Sequence, residues 1–352
     1  MLKHRHGGDI YEVSYRIDYS ANINPLGTPE SVVKAAQKSI LDCAHYPDVD
    51  CRALRRALAE KENMEPEQIL CGNGAAELIF AMVQAEKPQR ALLMAPGFAE
   101  YEQALRANGC EIRYYELKKE HGFRYQADYK KMLTEDLDMI FLCNPNNPTG
   151  LLIPKEEMLE IFQICLEKKI RVVLDSCFID FLEQEKEAEY TGYLGDYPNL
   201  FILKAFTKIY AMAGLRLGYG MSRDERLLER MKNVVQPWSV SIPAQAAGVA
   251  ALQETAFVHR SAKLVQEERI WLKKQLQNMN LWVCDSQANY LFFEGPEDLS
   301  EKCREAGILI RDCSNYHGLR KGYYRIAVRT RKENEELVQV FQKILKPAER
   351  RN

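Results

Sequence analysis

From Gln68 onward, short apolar runs alternate with stretches of helical length. The runs in "QILCGNGAAELIFAMV", "RALLMAPGFAEYEQAL", "LDMIFLCNPNNPTG", "IRVVLDSCFIDF", "NLFILKAFTK" and "LRLGYGMS" each lead into a turn or a helix start, and most end in small or polar residues. Strands alternating with helices in this way predict an α/β fold with a doubly wound, mostly parallel sheet. In such sheets the functional groups gather just beyond the carboxyl ends of the strands. The alternation stops at "VVQPWSVSIPAQAAGVAALQ", where Pro237 and Pro243 precede a helical period that runs to about Met279. A domain boundary is expected there. The last quarter offers "LWVCDSQANYLFFEG", "GILIRDC" and "GYYRIAVRT" as strands and "KENEELVQVFQKIL" as an amphipathic helix, which makes a small α+β domain. The expected division is residues 28–243 for the large domain, with 1–27 and 244–352 forming the small one.

Composition narrows the function. At 352 residues the chain exceeds the usual single core, so a large and a small domain are the natural expectation. With 48 Lys+Arg against 50 Asp+Glu the net charge is -2, and no overall field favours nucleic acid or an anionic membrane. Any anion must therefore be bound locally. The ten cysteines never fall in a C-x-x-C pair and several sit inside apolar runs, which implies reduced thiols in a cytoplasmic protein. The start, "MLKHRHGGDIYEV", lacks the apolar core of a signal peptide, and no later stretch reaches the roughly 18 apolar residues of a membrane span. The histidines show no metal-ligand spacing, and no metal is expected.

Two cations then stand out in "AFTKIYAMAGLRLGYG": Lys208 at the end of one apolar run and Arg216 at the start of the next. A lysine desolvated at a strand end has a depressed pKa, and its neutral amine condenses with an aldehyde. Taken alone, Lys208 reads first as a surface lysine at a strand terminus. Its neighbours change that. Asp175 closes the run "RVVLD", where a carboxylate either caps a helix or pairs with a buried cation such as a protonated pyridine nitrogen. "GNGAAE", Gly72 to Glu77, joins a strand to a helix, and the backbone N–H groups of Gly74 and Ala75 suit a phosphate. Thr207 adds a hydroxyl and Arg216 a guanidinium for the same phosphate. An amine, an acid and a phosphate cradle are together what pyridoxal 5′-phosphate requires.

At these residues the chain resembles the fold-type I pyridoxal-phosphate enzymes of the class I/II aminotransferase group, along nearly its whole length. "NPNNPTG" at Asn144 to Gly150 is the most specific motif, joined by Asp175, by Thr207 and Lys208, and by "GLRLGY" at Gly214 to Tyr219. The resemblance implies the aspartate aminotransferase-like fold and pyridoxal 5′-phosphate as coenzyme. It implies that Asn147 meets the coenzyme's phenolic oxygen, Asp175 holds the ring nitrogen and Lys208 joins the aldehyde. Phe98, in "PGFAEY", falls where an aromatic ring stacks on the coenzyme. Tyr46, in "HYPD", matches a tyrosine that reaches the phosphate of the partner subunit's coenzyme, which implies a homodimer with shared sites.

One departure is informative. The family's usual tyrosine three positions after the aspartate is Phe178 here, so its hydroxyl is missing. A narrower resemblance accounts for this: "HGGDI", "DYSANINPLG", "FIDF", "PWSV", "ILIRDCSNY" and "YYRIAVR" are similar to landmarks of the L-threonine-O-3-phosphate decarboxylases of cobalamin synthesis, relatives of histidinol-phosphate aminotransferases. Ser176 and Cys177 depart from that pattern. The resemblance implies a small phosphorylated amino acid as substrate, with His6, Asn22, Arg311 and Arg325 opposite the coenzyme. Planar arginine forks match carboxylate and phosphate oxygens. The two anions are not divided between Arg311 and Arg325. Arg329, four residues from Arg325 and so on the same face of a strand, is open to a solvent-exposed role or to ligand contact. The expected reaction is decarboxylation of O-phospho-L-threonine, with histidinol-phosphate aminotransferase or a relative as the alternative. A regulatory protein keeping the coenzyme fold would carry a basic DNA-binding domain, which the chain has no room for.

Overall fold

The computed structural model describes residues 6–182 and 188–345. The chain begins with β1 (Ile17–Asp18) and the helices α1 (Glu30–Ser39) and α2 (Arg52–Glu62). The main sheet follows as β2 (Ile69–Gly72), β3 (Arg90–Ala95), β4 (Glu111–Glu116), β5 (Met139–Cys143), β6 (Arg171–Asp175), β7 (Leu200–Ala205) and β8 (Gly218–Met221). Helices α3 (Ala75–Glu86), α4 (Ala99–Ala107) and α5 (Lys155–Glu167) alternate with the early strands. The spatial order is β2-β8-β7-β6-β5-β3-β4, with β3 to β7 mutually parallel and β8 antiparallel to both of its neighbours.

Apart from Arg171 and Asp175 at the ends of β6 and Lys204 in β7, the central strands are apolar because both faces are covered. Ile140, Leu142, Val172, Leu174 and Ile202 pack into the core on one face, and Met139, Phe141, Val173, Phe201 and Leu203 into the core on the other. Such a side chain contributes about 1.5–3 kcal/mol when fully buried. The register then aligns the strand ends. Cys143 lies beside Asp175, and Asp175 beside Leu203, so the polar ends of β5, β6 and β7 share one edge.

A second, antiparallel sheet has the order β12-β13-β10-β9, from β9 (Trp282–Val283), β10 (Tyr290–Glu294), β12 (Arg311–Asp312) and β13 (Tyr323–Ala327). A further strand, β11 (Ile308–Leu309), pairs in parallel with β1 and ties the N-terminal segment to this part of the chain. The period of two in β13 decides which residues face the site. Tyr324 and Ile326 pack with Leu272, Leu276, Leu337 and Phe341 of the helices Thr255–Asn278 and Arg331–Leu345. Arg325 therefore points the other way, toward the edge of the main sheet. Two expectations are refined. The long helical period divides into Ile242–Ala251 and Thr255–Asn278, with Glu254 between them outside helical backbone and its carboxylate accepting from Ser31 of α1 at 2.5 Å. Lys208 lies in the single turn Phe206–Ile209 after β7, not in a strand. Among the described residues, no helix is long and apolar enough to cross a membrane, and no acid, His and Cys cluster suits a metal.

Candidate active site

A cavity of about 310 Å³ opens at the carboxyl edge of the main sheet, facing β12 and β13. Asp175, Thr207 and Lys208 line it from the ends of β6 and β7, and Asn147 from the loop after β5. Ala75 and Phe98 come from the starts of α3 and α4, Arg216 from the loop before β8. Arg311 and Arg325 close the opposite side, with Asn22 and His6 from the N-terminal segment. Eleven of the candidates are thus side by side.

Asp175 is buried at the tip of β6 and is held twice. Its Oδ2 accepts from the Tyr101 hydroxyl at 2.5 Å, and its Oδ1 from the Cys177 backbone N–H at 3.0 Å. Burial and the neighbouring carboxylate push the Tyr101 phenol well above its ordinary range, so it remains a donor. The carboxylate is thereby fixed in direction. Tyr101 was missed by sequence reasoning, although it stands in the quoted "PGFAEY", one helical turn from Phe98. Its signal was that spacing: the two rings meet edge to face at 5.5 Å.

Lys208 has no carboxylate partner among the described residues. Burial, then the positive charges of Arg325 and Arg216, lower its pKa to about 8. Its ammonium nitrogen lies 5.9 Å from the Phe178 ring, which offers no hydroxyl. The turn that carries it is pinned from the N-terminal segment. Asn24 donates its backbone N–H to the Lys208 carbonyl at 3.1 Å and its side-chain amide to the Ile209 carbonyl at 2.6 Å. Asn24 was also missed; the chain separation hides it.

Arg325 donates to Asn147 Oδ1 at 2.6 Å and to the Ser20 carbonyl at 2.9 Å. That bond turns the Asn147 amide so that its NH₂ group is free for a ligand. Arg311 stands directly opposite Arg325 across β12 and β13, and donates to the Asp312 carbonyl and to Asn315 Oδ1. Both guanidinium groups are buried, at 8% and 6% exposure, and neither meets a carboxylate among the described residues. Two buried cations in direct register repel unless an anion comes between them. His6 Nδ1 lies 3.2 Å from Glu100 Oε1 across the mouth, and burial, then Arg311, lowers its pKa. Arg329 takes neither expected role. It pairs with Glu333 at 2.6 Å and lies over the Tyr19 ring, outside the cavity lining.

Gly74 and Tyr46 are the two candidates outside the lining. Gly74 starts α3 with φ +80°, and a Cβ there would stand 2.5 Å from Arg216 Nη2. Only glycine lets the guanidinium approach the helix start. Arg216 itself has φ 57°, an uncommon backbone for a branched-free but long side chain, which aims it there. Tyr46 is 79% exposed and its ring lies tilted against Trp238 with centroids 4.7 Å apart, outside the cavity lining. The residues present fit pyridoxal 5′-phosphate: a depressed-pKa amine, an oriented carboxylate, and a glycine-floored cradle with a guanidinium over it. Asn22 Oδ1 and Arg325 Nε are buried without a hydrogen-bond partner among the described residues, as groups that bind a ligand would be.

The fold and the site define a class. A family model for aminotransferase class I and II matches residues 16–341, and the chain belongs to that family, whose coenzyme is pyridoxal 5′-phosphate. It is 40% identical to the threonine-phosphate decarboxylase of Salmonella typhimurium strain LT2, over 97% of this chain and 96% of that protein. It is 33% identical to the histidinol-phosphate aminotransferase of Anaeromyxobacter sp. strain Fw109-5, over 95% and 92% respectively. Its structure overlays the histidinol-phosphate aminotransferase of Clostridium acetobutylicum with a TM-score of 0.88 at 28% identity, covering 94% of this chain and 99% of that one.

Proposed function

We propose that the protein decarboxylates O-phospho-L-threonine to (R)-1-amino-2-propanol O-2-phosphate. The observation that carries the reading is the Arg311 and Arg325 pair, buried in register in the cavity that Lys208 lines, with neither guanidinium paired to a carboxylate among the described residues. A substrate with a phosphate and an α-carboxylate supplies the two anions such a pair needs. The 40% identity to a threonine-phosphate decarboxylase supports the same choice.

Pyridoxal 5′-phosphate bound between Asp175 and the Gly74 and Arg216 cradle would supply an electron sink for a bond broken at the substrate's Cα. The chain's own residues do the rest. Asp175, fixed by Tyr101 and Cys177, would hold the ring nitrogen of the bound coenzyme with its carboxylate, and the Asn147 amide would hold the phenolic oxygen. Lys208, near pKa 8, is an amine able to give or take a proton at working pH. The arginines orient the substrate so that the bond to the carboxylate is the one that breaks. Carbon dioxide leaves without a proton, so Cα must receive one, and Lys208 Nζ holds it.

The same reading makes the protein a cytoplasmic homodimer in which Tyr46 reaches the partner subunit's coenzyme phosphate. Its support is the exposed apolar group of Ile40, Leu41, Tyr46, Val49 and Trp238. The location of the two sheets supports a large domain over 28–243 and a small one over 1–27 and 244–352. The alternative, histidinol-phosphate aminotransferase, is favoured by the TM-score of 0.88 and would use the same lysine to remove the Cα proton. Incubation of the coenzyme-loaded protein with O-phospho-L-threonine and no 2-oxo acid separates the two. Catalytic release of carbon dioxide is expected. No release, together with amine transfer from histidinol phosphate to a 2-oxo acid, would replace the decarboxylase with the aminotransferase.

A further inference from the structure

The arginine pair is not bare. The turn after β12 folds Tyr316 between the two guanidinium groups. Arg311 lies over its ring at 5.3 Å from the centroid, while Arg325 Nη1 lies 3.5 Å from its hydroxyl. The same hydroxyl lies 3.4 Å from Asn147 Oδ1. Both polar contacts are at the long limit of hydrogen bonding, and the Asn147 oxygen is already taken by Arg325 at 2.6 Å. A half-buried phenol with only two long contacts among the described residues has a donor to spare. Burial, ahead of every charge around it, raises the Tyr316 pKa, so the hydroxyl keeps its proton. Tyr316 is also held still. Its neighbour His317 stacks on Tyr114 of β4 at 3.9 Å with an interplanar angle of 7°, and its own N–H donates to the Cys313 carbonyl at 3.0 Å.

From this geometry we infer that Tyr316 is a substrate ligand that sets specificity: its hydroxyl donates to the substrate's anionic group between Arg311 and Arg325, and its ring fixes the separation of the two cations. The inference rests on the reading of Arg311 and Arg325 as the anion site. A ring wedged beside one guanidinium keeps the forks from closing on a single small anion. It therefore favours a substrate whose two anions are held apart by a short carbon chain over one with a single anionic group. Phe178 brings no hydroxyl to the cavity, whereas Tyr316 places a neutral O–H beside Arg325.

Two variants of the coenzyme-loaded protein test this. Tyr316→Phe keeps the ring and removes the donor; Tyr316→Leu removes both. The first is expected to raise the KM for O-phospho-L-threonine about tenfold, the loss of one hydrogen bond to a charged group, with kcat and the visible absorbance of the bound coenzyme little changed. The second is expected to weaken discrimination of O-phospho-L-threonine from L-threonine as well. A purely structural role would lower the melting temperature and leave KM alone. Inorganic phosphate, titrated by its competition with substrate or by its perturbation of the coenzyme absorbance, provides a readout independent of the reaction. Weaker phosphate binding in Tyr316→Phe would sustain the inference even in a protein that releases no carbon dioxide. Unchanged phosphate affinity and unchanged KM in Tyr316→Phe would overturn it, as would a changed coenzyme absorbance with KM unmoved.

Discussion

Lys204 and Lys208 leave the same end of β7 four residues apart, and their surroundings are opposite. Lys204 is buried between Glu62 at 2.9 Å and Glu189 at 2.8 Å, and Glu62 also accepts from the Tyr219 hydroxyl at 2.6 Å. Burial works against its charge, but the two carboxylates outweigh burial and the pKa rises. Lys208 meets Arg325, Arg216 and an aromatic ring instead, and its pKa falls to about 8. One lysine is a permanent cation that ties α2 to the sheet. The other is an amine able to change its proton. What separates structure from chemistry here is the partner, not the residue type or the depth.

The contrast is broken most severely at Lys208. Lys208→Ala should lower turnover by roughly 10⁴-fold and abolish the visible absorbance of the coenzyme-loaded protein, while leaving the melting temperature of the coenzyme-free protein near or above that of the wild type. Lys204→Met should do the reverse. It leaves the buried Glu62 and the half-buried Glu189 without their cation, at a cost of about 3 kcal/mol in denaturant unfolding, with turnover per folded molecule nearly unchanged. If Lys204→Met instead removed activity without loss of stability, the division between the two lysines would fail. Arg325→Met should raise KM about a hundredfold, since a buried guanidinium and the orientation of Asn147 are lost together. Tyr101→Phe sharpens the account at the acid. Removing the phenol from Asp175 should weaken coenzyme affinity about tenfold, read by titration of the coenzyme-free protein.

Much of this was written in the sequence. Apolar runs ending in Asp175 and Lys208 announced strand ends bearing chemistry, because a charged group beyond such a run must find a partner or a role. Lys204 shows the limit. It lies within an apolar run, and nothing nearby in sequence reveals that Glu62 and Glu189 meet it, since those contacts span 142 and 15 residues. Tyr316 and Asn24 were hidden for the same reason: each acts on a residue far along the chain. Arg329 shares its strand period with Arg325, yet it is drawn away by Glu333, four residues on in the following helix. Periodicity assigns a face and leaves the partner on that face to the tertiary fold.

The most direct measurement is the pH dependence of the rate at which the coenzyme-free protein takes up pyridoxal 5′-phosphate, followed by absorbance and compared with Lys204→Met to exclude the other lysine. The amine must be neutral to attack the aldehyde. A folded pKa below the free-lysine value means that the reactive form is half-populated near pH 8 and levels off by about pH 10. A midpoint near 8, unmoved in Lys204→Met and shifted upward in Arg325→Met, is the expected result. A rate still climbing through pH 10 would contradict it, because it would place Lys208 in an environment no different from water.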